Sequence, residues 1–221
     1  MIRKQFAVLG LGRFGMSVSK TLSENGFDVI AVDSDPENVN EASQFVTYAA
    51  IADITDEVAL RGLGLANVDV AVVAVGGNLE AGVMSTLICK EMGIPYLVAK
   101  AKNDRQKKIL EKLGADRVVF PEGEMGVRIA NNLSYDGFVD FMELAEEFAI
   151  VELAPFKDWI GKSLIELNFR QAYGLNVVGV KTNGKFDVSP DVDRPFESTD
   201  ILVVIGEKAQ LEDLLDGNSK E

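Results

Sequence analysis

Short apolar runs recur through the first two-thirds of the chain, with helix-period segments between them. Phe6–Leu9 runs into Gly10, Val29–Val32 into Asp33, and Val70–Val75 into Gly76-Gly77-Asn78. Phe45–Tyr48, Pro95–Ala99 and Arg117–Phe120 are further strand-like runs, mostly apolar. A run that is apolar at every position, not every second one, reads as a strand buried on both faces. Phe14–Glu24 is helical and closes on Asn25-Gly26, a helix-stop pair. Leu79, Val83 and Leu87 fall four apart on a longer helix. Strand–helix alternation of this kind predicts a parallel sheet covered by helices on both faces. The right-handed crossover makes it a doubly wound, Rossmann-like sheet.

After Pro121 the pattern changes. Met125, Ile129 and Leu133 lie four apart on a predicted helix, which Ser134–Gly137 breaks. Phe138, Phe141 and Leu144 then predict a second helix with one apolar side. That side either packs within its own domain or is buried by exchange between two subunits, as a crossover helix. Beyond Glu146-Glu147 the elements are short: a β-run Phe148–Leu153, a helix near Ser163–Leu167, strands at Leu175–Lys181 and Ile201–Ile205, and a last helix after Gly206. Asn183-Gly184 reads as a hairpin turn. The tail Gly217–Glu221 reads as frayed. The fold expected is α/β: a nucleotide-binding Rossmann domain with its crossover helix over residues 1–144, and a small α+β domain over 145–221.

Composition removes several function classes. The 221 residues carry 22 basic and 35 acidic side chains, a net charge of −13, which argues against a nucleic-acid partner. There is no histidine, so the usual neutral-pH proton shuttle and the commonest metal ligand are both missing. Ser-His-Asp hydrolases, Cys-His proteases and His-ligated zinc enzymes are thereby excluded. The single cysteine, Cys89, lies in an apolar helical pattern and reads as a buried structural thiol. No apolar run approaches the ~20 residues of a membrane-spanning helix. The N-terminus runs straight into a strand and a glycine turn, with no leader pattern, so a cytoplasmic protein is expected.

Gly10-Leu11-Gly12-Arg13-Phe14-Gly15 matches G-x-G-x-x-G between a strand and a helix, and Asp33 ends the next strand. Gly10 makes the turn, Gly12 lets backbone approach phosphate, and Gly15 lets helix and strand pack closely. The N–H groups opening the helix bind the anion. Asp33 would accept from a ribose diol and repel a 2′-phosphate, which disfavours NADP. Arg13 either adds positive charge beside a third phosphate or pairs with a neighbouring carboxylate. Lys100 ends the fifth apolar run as a phosphate contact or as a solvated lysine. Asp53 contacts adenine, or else it or Asp56 caps the following helix. Gly76-Gly77-Asn78 approaches a ligand or simply turns the chain. No reactive centre accompanies this loop; Tyr173 and Lys181 have no telling spacing. A sensor is therefore favoured over an enzyme, with a stand-alone NAD(H)-binding redox sensor or a small NAD-dependent oxidoreductase as alternatives.

The stretches Phe6–Gly15, Ala31-Val32-Asp33 and Ala52–Asp56 resemble the N-terminal domain of the potassium-conductance regulators, the RCK, KTN or TrkA-N family. Leu113–Asp116, Phe120-Pro121-Glu122 and Gly126–Ala130 extend the match, and Leu167–Asn176 resembles the companion TrkA-C domain. The resemblance is to the cytosolic subunits of Ktr-type potassium uptake systems. It implies dimers assembled into an octameric ring on the inner face of a membrane-embedded potassium-translocating subunit. ATP and ADP on the glycine loop would set different ring shapes. The resemblance also places Asp33 on the ribose, Arg13 on the terminal phosphates and Lys100 near the phosphates. Glu122 would reach across the dimer to the γ-phosphate and a bound Mg²⁺. In the C-terminal domain it implies a cyclic di-AMP site, with Arg170 on phosphate, Asn176 on adenine, and Phe169, Ala172 and Pro190 as the apolar surround. The chain departs from the family in having Ala52 where glycine is frequent, and in offering no histidine to the C-terminal pocket.

Overall fold

The computed structural model describes residues 4–134, 138–145 and 147–218. Strands β1 (Gln5–Leu9), β2 (Asp28–Asp33), β3 (Tyr48–Ile51), β4 (Val70–Val73), β5 (Tyr96–Lys100) and β6 (Arg117–Val119) form one sheet, ordered β3-β2-β1-β4-β5-β6. Every pairing in it is parallel. Helices α1 (Arg13–Glu24), α2 (Pro36–Ala42), α3 (Glu57–Gly62), α4 (Leu79–Glu91) and α5 (Asp104–Lys112) make the crossovers. Alternate residues of each strand enter different clusters. Val8, Val29, Ala31 and Val72 pack with Leu11, Met16, Val18 and Leu22. Ala7, Leu9 and Val73 pack with Ile88, Leu97 and Leu110. Cys89 lies in the second cluster, fully buried, and burial pushes its thiol up to about 12.

The chain divides into two compact units between Gly123 and Glu124, early in α6 (Pro121–Ser134). The second unit is built on β7 (Phe138–Glu143), β8 (Phe148–Leu153), β9 (Asn176–Thr182), β10 (Lys185–Asp187) and β11 (Ile201–Glu207), with α7 (Phe169–Tyr173) and α8 (Lys208–Asn218). Its strands run antiparallel in the order β10-β9-β11-β8-β7. The hairpin forms at Asn183-Gly184, both with positive φ (51° and 77°), as a two-residue turn requires. Trp159, fully buried, anchors the core edge-on against Phe156 and Phe169, and its Nε1 donates to the Tyr173 hydroxyl at 3.0 Å.

Three elements differ from the sequence reading. Residues 138–144 are not a crossover helix. Phe138–Glu143 is a strand paired with β8, so the exchange argument built on a helical face there falls. The spacing of Phe138, Phe141 and Leu144 mimics a helix, but the inter-strand ladder wins. The third strand begins at Tyr48, not Phe45. The N–H groups of Phe45 and Val46 still bond the Ala42 carbonyl at the end of α2, and both side chains pack on the core. Ser163–Leu167 makes one turn only, closed by reciprocal bonds between Ser163 and Glu166. Asn168, with φ 45°, stops it before α7 begins. Gly217 and Asn218 are the last residues of α8, and the rest of the expected frayed tail lies outside the described residues.

Candidate functional site

Parallel order puts all six strand carboxyl ends of the first unit on one edge. The loop after β1 faces the point where the strand order reverses, between β1 and β4, where open α/β sheets take their ligands. Gly10 turns the chain with φ +93°, and a Cβ there would meet Val75 Cγ2 at 2.7 Å. A Cβ on Gly15 would lie 1.9 Å from the Gly10 carbonyl oxygen, so α1 approaches the turn as closely as backbone allows. Gly12 is different. It is the N-cap of α1, no side chain bonds the helix start, and a Cβ there would meet nothing within 4 Å. No acidic residue occupies the first turn of α1. The helix thus opens with unpaired N–H groups under an open surface, which is the geometry an anion needs.

The candidate side chains converge on this edge. Asp33 ends β2 and bridges two loops: Oδ2 accepts from Leu11 N–H at 2.5 Å, and Oδ1 from Asp35 N–H at 2.9 Å. The carboxylate is therefore held against the glycine turn. Arg13, the first residue of α1, is exposed and forms no ion pair among the described residues. Its charge is felt by the Glu122 carboxylate nearby. Asp56 caps α3 through Val58 and Ala59 N–H, which leaves Asp53 to a local turn. There one oxygen of Asp53 takes both the N–H and the hydroxyl of Thr55, and these bonds hold its carboxyl below the usual range. Asn78 caps α4 by accepting from Ala81 N–H at 3.2 Å.

Lys100 is not a solvated lysine. Its side chain is only 13% exposed, its Nζ bonds Glu122 Oε1 at 2.6 Å, and it stands 5.4 Å from the centre of the Phe14 ring. A Cβ on Gly76 would press on the Lys100 stem at 3.4 Å. The Lys100 bond, a bond from its own backbone N–H, and the nearby charge of Arg13 hold the Glu122 carboxyl below its usual range. The two residues are 22 apart, and only the β5–β6 topology brings them together; no local signal in the sequence reveals the pair. In the second unit, Arg170 and Ala172 are exposed on α7, Asn176 is exposed at the start of β9, and Pro190 is half-buried. Phe169, expected in the apolar surround of a ligand, is 4% exposed and packs in the core against Trp159 and Tyr173.

The TrkA-N domain model matches residues 6–121, and the TrkA-C domain model matches residues 148–216. The chain belongs to the RCK (TrkA-N/TrkA-C) family. It is 43% identical over 205 residues to Ktr system potassium uptake protein C of Bacillus subtilis, covering 93% of each chain. It is 35% identical over 208 residues to Ktr system potassium uptake protein A of Vibrio alginolyticus, covering 94% of each. Its fold matches the crystal structure of the GsuK RCK domain with a TM-score of 0.69 at 19% identity. That match covers 99% of this chain and 48% of the other, so the chain spans about half the length of that structure. This RCK chain thus carries its glycine loop and convergent edge inside the TrkA-N segment, and Arg170 and Asn176 inside the TrkA-C segment.

Proposed function

We propose that this chain is the nucleotide-sensing regulatory subunit of a potassium uptake system. ATP or ADP occupies the Gly10–Gly15 loop, and the bound nucleotide sets the shape of a homo-oligomer that gates a separate membrane-embedded potassium-translocating subunit. The observation that carries the reading is the open N-terminus of α1 at Gly12, flanked by Asp33, held against the turn, and by an exposed Arg13 that forms no ion pair among the described residues. The names of the Ktr relatives support potassium uptake as the setting. The role proposed is a non-catalytic one. Among the described residues no helix is long and apolar enough to cross a membrane, so attachment to the inner membrane face is assigned to the protein partner.

The residues act by differential affinity. A ligand shifts a conformational equilibrium only as far as it binds one state better than the other. Asp33 serves every adenosine ligand alike, whereas Arg13 rewards a third phosphate. Glu122 would be the protein's ligand for Mg²⁺, with phosphate oxygens and water completing the shell. That suits a hard ion which keeps several waters, and among the described residues no three His, Cys, Asp or Glu side chains gather into a metal site of their own. Assembly into dimers and an octameric ring fits the exposed apolar residues of α6, of which Val127 is 62% and Leu133 82% exposed. It also fits an apolar groove of about 670 Å³ beside α1, lined by Phe6, Phe14, Val18, Val70, Val72 and Val98. A parallel sheet normally has both faces covered. Cyclic di-AMP is proposed as a second effector, with Arg170 on its phosphate, Asn176 on its adenine, and Ala172 and Pro190 alongside.

A second reading takes NAD(H) on the same loop, favoured by the same Asp33, which suits the adenosine ribose of either ligand. Side-by-side titrations with ATP, ADP, NADH and NAD, together with mass spectrometry of the co-purified nucleotide, separate the two. Under the proposal ATP and ADP bind, and Arg13→Ala weakens ATP about tenfold more than ADP, the worth of one charge-assisted contact. Equal losses for both, or tight binding of NADH alone, would overturn it.

A further inference from the structure

The bond between Lys100 and Glu122 has a job that a surface ion pair does not. Lys100 ends β5 on the ligand edge, while Glu122 is the second residue of α6. Their 2.6 Å contact therefore fastens the start of α6 to the rim of the nucleotide site. The ammonium is confined: its side chain is 13% exposed, with the Phe14 ring 5.4 Å away and Gly76 against its stem. The carboxylate is not, at 61% exposure. A pair so exposed on one side shifts an equilibrium by about fivefold at most, so a polyphosphate can displace it. Glu122 also has an alternative home, since it lies in the first turn of α6, where a carboxylate is favoured by the helix dipole.

We propose that the Lys100 ammonium is a shared charge, contested between Glu122 and the phosphates of a nucleotide on the Gly10–Gly15 loop, so that ligand binding loosens the pair and frees the first turn of α6. The proposal rests on the nucleotide reading above and assigns that site its internal release. Lysine suits the part: it is a point charge on a flexible stem, able to swing between two acceptors without a fixed fork geometry. Arg13, fixed at the helix start, supplies attraction; Lys100 supplies the exchange.

The test is a double-mutant cycle on ADP affinity, measured by calorimetry in EDTA so that no metal engages Glu122. Glu122→Gln, which removes the competitor, is expected to tighten ADP by about two- to fivefold. Lys100→Met is expected to weaken ADP about tenfold, with Lys100→Gln as a second variant and circular dichroism confirming that each is folded. In the Lys100→Met background, Glu122→Gln should change nothing. If Glu122→Gln tightens ADP equally with and without Lys100, only general charge repulsion is at work and the exchange is refuted. An unchanged or weakened ADP affinity in Glu122→Gln refutes it as well. Hydrogen exchange on the nucleotide-free protein supplies an independent arm: Lys100→Met should speed exchange of the second-turn amides of α6, whose N–H groups bond the first-turn carbonyls, and unaltered exchange overturns the fastening role. Wild-type protein that binds no ADP at all overturns the nucleotide reading together with this one, a result distinct from the others.

Discussion

Gly12 and Gly15 belong to one motif but should fail in different ways when each is replaced by alanine. At Gly15 the new methyl would lie 1.9 Å from the Gly10 carbonyl oxygen, more than an ångström inside contact distance, and that neighbour is backbone with no rotamer to change. Helix α1 must move away from the end of β1. Overpacking of this kind costs about 3 kcal/mol, which lowers the melting temperature of a unit this size by roughly 10 °C. At Gly12 the methyl meets nothing within 4 Å, and the backbone (φ −63°, ψ −178°) is open to any residue. The loss of glycine at an N-cap and the gain from a stiffer unfolded chain nearly cancel, so stability should hold within about 0.5 kcal/mol. The methyl does, however, cover the N–H groups that a phosphate would use. Losing one charge-assisted bond costs about 1.5–3 kcal/mol, or roughly 10- to 150-fold in affinity. Circular dichroism melts and ATP calorimetry on the two variants read both quantities. A folded Gly12→Ala protein that binds ATP as tightly as wild type would refute the loop as the anion cradle.

Other outcomes follow from the same geometry. Asp33→Asn should weaken ATP, ADP and NADH by similar factors in parallel titrations, since the ribose is common to all; a nucleotide-selective effect contradicts the ribose assignment. Asp200 is fully buried on its side chain and accepts from Arg194 at 2.7 Å, Thr182 at 2.6 Å and Glu197 N–H at 2.9 Å. Burial pushes its carboxyl up, but these donors outweigh burial and hold it below the ordinary range. Its contribution to the second unit is therefore complete above the ordinary carboxylate pKa and is lost as pH falls through the lowered one. Asp200→Ala should cost about 3 kcal/mol near neutrality, and that difference from wild type should shrink in melts below about pH 4. Trp159→Ala removes the centre of the aromatic cluster and leaves the Tyr173 hydroxyl without its donor, for about 3–5 kcal/mol by denaturant titration.

The parallel sheet was legible because its strands announce themselves twice, as fully apolar runs and as ends in Gly10, Asp33 and Gly76. The close packing of β1 on α1 was legible for the same reason: Gly10 and Gly15 stand where a Cβ would meet neighbouring atoms at 2.7 and 1.9 Å, a demand that few other arrangements make. What lay outside the sequence signal was long-range. Phe138–Glu143 carries helical spacing by coincidence and becomes a strand because β8 offers it a ladder. That Phe169 packs between Trp159 and Tyr173 depends on rings up to ten residues away, which no local pattern brings together. The Lys100–Glu122 bond depends on two neighbouring strand ends that 22 residues of chain, including α5, bring together.

The buried thiol of Cys89 has a practical consequence. A sulfur enclosed in the core and protonated until about pH 12 offers almost no thiolate to alkylating reagents under ordinary conditions. Spectroscopic labels can therefore be directed to any exposed position by introducing a single cysteine, with the native one left in place. Pairs of probes on the rim of the glycine turn and on α6 would then report distances in solution without a cysteine-free background.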